Sequence, residues 1–166
     1  MDAIELKNLQ TPLKEKYKAN PESALITLKA QGNIGEGISC KVETGKSIVE
    51  AGLHPATGGT GLQACSGDLL LESLVACAGV TMNAVATALG IEIKNAVVKA
   101  EGDLDFRGTL GVSKEVAVGF KNIRLSFTFD TSATAEQIES LTKLTERYCV
   151  VYQTLRNGVA IETKYN

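Results

Sequence analysis

Residues 68–89 read DLLLESLVACAGVTMNAVATAL. This is the longest apolar stretch of the chain, and it is rich in Leu and Ala, the residues that cost a helix least. Ser66 stands where an N-cap belongs, Asp68 puts a negative charge in the first turn, and Gly90 supplies a stop. About 20 apolar residues would span a bilayer. Glu72, Asn83, the interspersed Thr and the lack of flanking Lys or Arg argue for a helix buried in protein instead. Cys77 lies at its middle. A thiol in a buried helix usually serves packing, but residues 146–155, ERYCVVYQTL, carry a possible match in Cys149.

Upstream, Leu6, Leu9, Leu13 and Tyr17 fall at helical spacing over residues 5–18, with Pro12 expected to kink or divide the helix. Asn20-Pro21 breaks the chain. Residues 24–30 alternate as a strand with one dry side, and three glycines over 32–37 turn the chain. Ile38, Cys40 and Val42 alternate again, so a hairpin is expected, followed by a turn at 44–46 and a short element over 47–50. Residues 52–67, GLHPATGGTGLQACSG, hold five glycines and the only histidine, His54. That glycine density suits either close backbone approach to a ligand or a plain connector. The loop lacks the Gly-Lys-Ser/Thr ending of a phosphate-binding loop.

Downstream, residues 91–105 alternate as a strand, 106–113 read as a loop, and strands are expected at 116–120 and 123–129. The last has Ile123, Leu125, Phe127 and Phe129 inward. Thr134 and Gln137 form a capping-box pattern. They open a helix with the apolar stripe Ile138, Leu141, Leu144 and Tyr148, which ends at Cys149. Residues 150–156 give a further helical turn stopped by Asn157-Gly158, and 159–165 alternate as a final strand. The element order is that of an α+β fold, helices packed on a mainly antiparallel sheet. With 166 residues and no internal repeat, one domain spanning 1–166 is expected, with 1–20 as a helical extension.

A net charge of −2 argues against nucleic acid or an anionic membrane as partner, and with 5% aromatics and no Trp a base-stacking surface is not expected. The first ten residues lack a signal-type apolar core, so a cytoplasmic protein is expected. The cysteines at 40, 65, 77 and 149 include no CxxC pair. A structural zinc site is not expected. In a reducing compartment any disulfide would be transient.

The stretch SGDLLLESLVACAGVTMNAVATALGI resembles the central-helix signature of the OsmC/Ohr superfamily, and ERYCVVYQTLRNGVAIE resembles its second signature. The order and spacing of elements are similar from residue 24 onward. The resemblance implies a mainly antiparallel sheet wrapped around a long central buried helix, in an intertwined homodimer. It implies a thiol-dependent peroxidase acting on organic hydroperoxides, with Cys77 peroxidatic, Cys149 resolving and Asp68 at the family's acidic position. It also implies recycling by an external dithiol of lipoyl or thioredoxin type. No metal, flavin or nicotinamide is called for. Two departures stand out. The family's peroxidatic thiol is normally paired with an Arg from the N-terminal hairpin, yet no Arg precedes Arg107 here. The residue after the second Cys is often Pro, and here it is Val150.

A thiol attacks peroxide as thiolate. Cys77 is about 13 Å into its own helix, beyond the reach of that helix's dipole, and burial alone would keep it protonated. A cation or a donor must come from elsewhere. Arg147, two residues from Cys149, is the first choice, with Arg156 and His54 in reserve. His54 could also protonate a leaving alkoxide. Asp68 in an unbroken helix would face nearly opposite to Cys77, so it joins the site only through an irregular helix start or from a second chain. Cys65 and Cys40 are assigned to packing. Two alternatives differ in class: a non-catalytic module for a small apolar ligand or redox sensing, and a thiol enzyme acting on another electrophile or a persulfide.

Overall fold

The computed structural model describes residues 3–34, 40–42 and 51–165. It is a mixed α+β fold with an antiparallel sheet and one long helix. In chain order the elements are α1 (Ala3–Ala19), a 3-10 turn (Pro21–Ala24), β1 (Leu25–Ile34), β2 (Cys40–Val42), β3 (Ala51–Gly52) and a second 3-10 turn (Pro55–Thr57). There follow β4 (Ala64–Cys65), α2 (Ser66–Leu89), β5 (Lys94–Asp105), α3 (Phe106–Thr109), β6 (Phe120–Asp130), α4 (Ala135–Tyr148) and α5 (Val150–Asn157). Four strands form one sheet in the order β2-β1-β5-β6, and β3 and β4 form a small parallel pair. The expected hairpin is present: β1 and β2 run antiparallel with Gly32 opposite Val42 and Ile34 opposite Cys40. The expected turn at 44–46 and the short element at 47–50 fall outside the described residues, as does Ile38.

The chain divides into two compact units. One comprises Met1–Ala30, Thr44–Glu72 and Ala100–Leu125, the other Gln31–Glu43, Ser73–Lys99 and Ser126–Asn166. The first is built on Tyr17, Ala24, Phe106 and Leu110, with Leu13, Ile26, Leu104 and Val112 packed against them. The Tyr17 hydroxyl donates 2.6 Å to the Ala56 carbonyl, which ties α1 to the glycine-rich loop. That anchoring explains a departure from expectation: α1 runs through Pro12 as one helix. A proline in a helix interior costs about 3 kcal/mol, and burial of Tyr17 at its far end offsets that cost. Across the sheet, Asp103 on β5 takes a hydrogen bond from Thr27 on β1 at 2.7 Å and an ion pair from Arg124 on β6.

The glycine-rich loop folds back on itself. A Cβ on Gly59 would lie 1.6 Å from the Leu53 carbonyl oxygen, so glycine there lets one stretch of the loop's own backbone lie against another. Residues 106–113 hold a short helix, α3, where a plain loop is expected. No strand forms at 116–119. The carbonyls of Val116 and Ala117 instead lie over Gly108, within 2.8 Å of where a Cβ would sit, and strand β6 starts at Phe120.

The second unit is built on Met82, Ala86, Ile91 and Leu141, joined by Val85, Ile93, Phe127, Phe129 and Ala133. Helix α2 starts at Ser66 itself and stops as its sequence requires. Gly90 takes φ +65°, and the Ile91 N–H closes back on the Ala86 carbonyl at 2.9 Å. By length and composition α2 could cross a membrane, but Leu71, Leu74, Val75, Ala78, Met82 and Ala86 are buried within protein. The α4 capping box forms in both directions, Gln137 N–H to Thr134 Oγ1 and Thr134 N–H to Gln137 Oε1. The buried stripe of α4 drifts: Thr145 is buried where Tyr148, 57% exposed, was expected. Residues 159–165 make no strand. Val159, Ile161 and Tyr165 stand in solvent, because among the described residues they have no neighbouring strand to pair with.

Candidate active site

Helix α2 carries Cys77 and, one turn later on the same face, Thr81. The other half of the site is the joint between α4 and α5. Cys149 is that joint: extended at φ −71° and ψ 107°, it closes α4 through its N–H to the Thr145 carbonyl (3.0 Å) and opens α5 as its N-cap. Its sulfur accepts the Tyr152 N–H at 3.5 Å. The first N–H groups of any helix have no partner inside the helix and concentrate its positive end. Val150 and Val151 occupy that end of α5, and their N–H groups, with the Cys149 thiol and the Thr81 hydroxyl, favour the ionised Cys77 sulfur.

These contacts decide which sulfur ionises. Burial pushes the Cys77 thiol up, but the Val151 N–H, the Cys149 thiol, the Val150 N–H and the Thr81 hydroxyl together pull it below the ordinary thiol value. Cys149 goes the other way. Burial raises it, the Tyr152 N–H opposes, and the hydrogen bond it gives to Cys77, together with the charge there, raises it again, to about 11. The pair therefore gives up its first proton from Cys77 and holds the second on Cys149.

The α4–α5 elbow is held by a small polar net. Gln153 Nε2 donates 2.8 Å to the Glu146 carbonyl, the Tyr152 hydroxyl donates 3.3 Å to Glu146 Oε2, and Asn157 Nδ2 donates 2.9 Å to Gln153 Oε1. Arg156 lies over the Tyr152 ring and 4.0 Å from Glu146, so it belongs to this net.

The structure brings Cys77 and Cys149 together, and places the other expected residues differently. Arg147 was expected to supply the cation for Cys77. It is exposed, with its guanidinium 5.6 Å from the centre of the Tyr148 ring, and the groups pulling Cys77 down are backbone and side-chain donors. His54 is built into the loop of the first unit. Its Nδ1 accepts the Ala56 N–H at 3.0 Å, and its ring stacks on Phe106 at 5.0 Å. Asp68 stands in the first turn of α2, nine residues before Cys77. Burial raises its carboxyl and the neighbouring His54 lowers it, and its charge in turn adds to the upward shift that burial gives Glu72. Cys65 is a half-buried free thiol at the end of β4.

Sequence reasoning missed the two donors that matter most, the N–H groups of Val150 and Val151. The signal was present in the order Cys149-Val150-Val151-Tyr152, a short polar cap leading a helix, but a backbone donor carries no residue-type mark. Thr81 could have been found from its i+4 spacing to Cys77.

Solved structures similar to this chain include two OsmC-like proteins. One is an OsmC-like hydroperoxide resistance protein from Jannaschia sp. CCS1 (TM-score 0.63, 15% identity, covering 86% of this chain and 94% of that one). The other is an OsmC-like protein from Mycoplasma pneumoniae (TM-score 0.56, 16% identity, covering 81% and 86%). A search of curated proteins gives no match. The family model described as OsmC-like protein matches residues 59–164, a span that holds α2, both α4 and α5, and the two paired cysteines. With a match over more than half its length, the chain belongs to the OsmC-like protein family.

Proposed function

We propose that this chain is a thiol-dependent peroxidase that reduces organic hydroperoxides to alcohols. One observation carries the reading. The N–H groups of Val150 and Val151 at the start of α5 pull the Cys77 thiol below its ordinary value, while the thiol that acts on it, Cys149, is held up to about 11. A thiolate held beside a resolving thiol is what two-step peroxide reduction needs. The hydroperoxide resistance named for the Jannaschia neighbour supports the substrate class.

In this reading the Cys77 thiolate attacks the distal peroxide oxygen, and the O–O bond breaks to release an alcohol. The resulting sulfenic acid condenses with Cys149 to a Cys77–Cys149 disulfide. An external dithiol of lipoyl or thioredoxin type restores both thiols by exchange. Leu74 and Val80, one turn to either side of Cys77, give its flank an apolar character that suits an alkyl substituent. The working form is a homodimer in the cytoplasm.

The test is direct. Reduced protein is mixed with one equivalent of cumene hydroperoxide, and intact mass and free thiols are followed. Rapid loss of two thiols, abolished in Cys77→Ser, is the expected result. An unchanged thiol count after minutes would leave a ligand-binding or sensing module instead.

A further inference from the structure

The chain has four arginines, and three are paired with carboxylates: Arg107 with Asp105 at 2.6 Å, Arg124 with Asp103, and Arg156 with Glu146 at 4.0 Å. Arg147 is the exception. Among the described residues its guanidinium has no carboxylate partner; it is exposed at the end of α4, 5.6 Å from the centre of the Tyr148 ring. Two apolar side chains stand in solvent beside it in the chain, Tyr148 at 57% exposure and Val150 at 70%. Between those two is Cys149, exposed at 1%. A cation in the last turn suits the helix dipole. The dipole gives no reason for exposed apolar side chains on both sides of a buried sulfur, and such a patch marks a surface that meets something else.

We propose that Arg147, Tyr148 and Val150 are the docking site of the reductant, and that the reductant is a small dithiol carrying a carboxylate on a short hydrocarbon stem. The inference rests on the peroxidase reading above. The guanidinium fork matches a carboxylate with two parallel hydrogen bonds, and the ring and the valine cover the stem. Arg147 is two residues from Cys149, so a carboxylate held there delivers the far end of the molecule to the disulfide. The size of the surface sets the class of occupant. A stable protein interface buries about 800 Å² on each partner, far more than three side chains offer, whereas one cation and two apolar side chains suit one anionic chain. In the exchange, a reductant thiolate attacks one sulfur of the Cys77–Cys149 disulfide, the S–S bond breaks, and the other protein sulfur leaves as thiolate. The second reductant thiol then loses its proton, closes the reductant's own S–S bond and expels the first protein sulfur. Two electrons pass to the protein, and the two protons given up by the reductant balance those its two thiols regain.

The experiment oxidises the protein with one equivalent of cumene hydroperoxide and then follows reduction of the disulfide by dihydrolipoate and by dihydrolipoamide. The two carry the same dithiol and stem and differ in a carboxylate against a neutral amide. Each rate is divided by that reagent's rate on hydroxyethyl disulfide, which removes any difference in intrinsic reactivity. At low salt the wild type should favour dihydrolipoate by about three- to five-fold, the worth of an exposed ion pair, and the preference should shrink in high salt. In Arg147→Gln the two rates should become equal. Lys14→Gln, which removes a positive charge from α1, should keep the wild-type preference. Tyr148→Ser should slow both reagents alike, because both share the stem. Equal rates in the wild type, a preference that survives Arg147→Gln, or wild-type rates in Tyr148→Ser would overturn the docking site and leave the peroxidase reading intact. So would reduced thioredoxin acting faster than dihydrolipoate and equally well on wild type and Arg147→Gln. A wild type that forms no disulfide with the peroxide would overturn both.

Discussion

Cys77 on α2 and Cys149 at the joint of α4 and α5 act on each other's ionisation, and the two titrate in opposite directions from the ordinary thiol value. The asymmetry has a structural cause. Cys77 faces the open N–H groups of α5, whereas Cys149, 1% exposed, is the cap beneath them and lies beside a negative sulfur. In the proposed peroxidase the start of α5 does the work for which the family resemblance implied an arginine.

Val150→Pro tests that substitution of a helix end for a side chain. Proline is well tolerated at the first position of a helix, and the extended Cys149 backbone suits a residue preceding proline. The variant should fold with α5 intact but lack one N–H to Cys77. A hydrogen bond to a charged group is worth about 1.5–3 kcal/mol, so the midpoint of Cys77 alkylation should rise by about one pH unit or more. Val150→Ala should keep the wild-type midpoint. An unshifted midpoint in Val150→Pro would show that this N–H does not hold the thiolate.

Alkylation followed by peptide mass should show an order. Cys77 reacts first, at a pH below that of an ordinary thiol, and Cys149 resists until the pH nears about 11. The linkage runs with it. The folded-state value of Cys149 lies above its unfolded value of about 8.5, so its contribution to stability is complete below that value and is lost as pH rises toward about 11. Urea midpoints should fall over that alkaline window, and less so in Cys149→Ala. The same slope in both proteins would count against a proton held on Cys149.

Arg147→Ala should leave the rate of Cys77 oxidation within about two-fold of wild type, since an exposed guanidinium over a tyrosine ring contributes about 0.5–1 kcal/mol locally and nothing to the sulfur. A loss of ten-fold or more in stopped-flow would return the activating role to this residue.

Leu141→Ala removes a fully buried side chain that locks α4 against Met82, Ala86 and Ile91. The cost should be about 2–5 kcal/mol in urea denaturation. Because α4 carries Cys149 at its end, the rate of Cys77–Cys149 disulfide formation should fall as well. A destabilised variant with an unchanged disulfide rate would mean that α5 and its polar net hold Cys149 without α4.

Residues 159–165 alternate like a strand, and their apolar members are in solvent, Ile161 at 86% exposure. A strand of this pattern is stabilised by pairing with another edge. Deleting 159–166 should therefore convert the proposed homodimer to monomer in light scattering after gel filtration. A truncated chain that remains dimeric would place the interface elsewhere.

What the sequence determined by itself was everything written in side-chain periodicity and capping. The apolar run over 68–89 specified α2, Gly90 its stop, Thr134 and Gln137 the start of α4, and the alternation over 123–129 strand β6. Two cysteines in familiar settings pointed to the chemistry. Tertiary structure decided the rest. It carried α1 through Pro12 by anchoring Tyr17, left 159–165 unpaired, and took Thr145 rather than Tyr148 into the α4 core. Above all it chose what ionises Cys77. Sequence reading looks for charged side chains, but the peptide N–H is common to every residue except proline. It becomes a functional group only where folding brings the start of a helix, as at Val150 and Val151, to bear on the ionisation of a thiol on another helix.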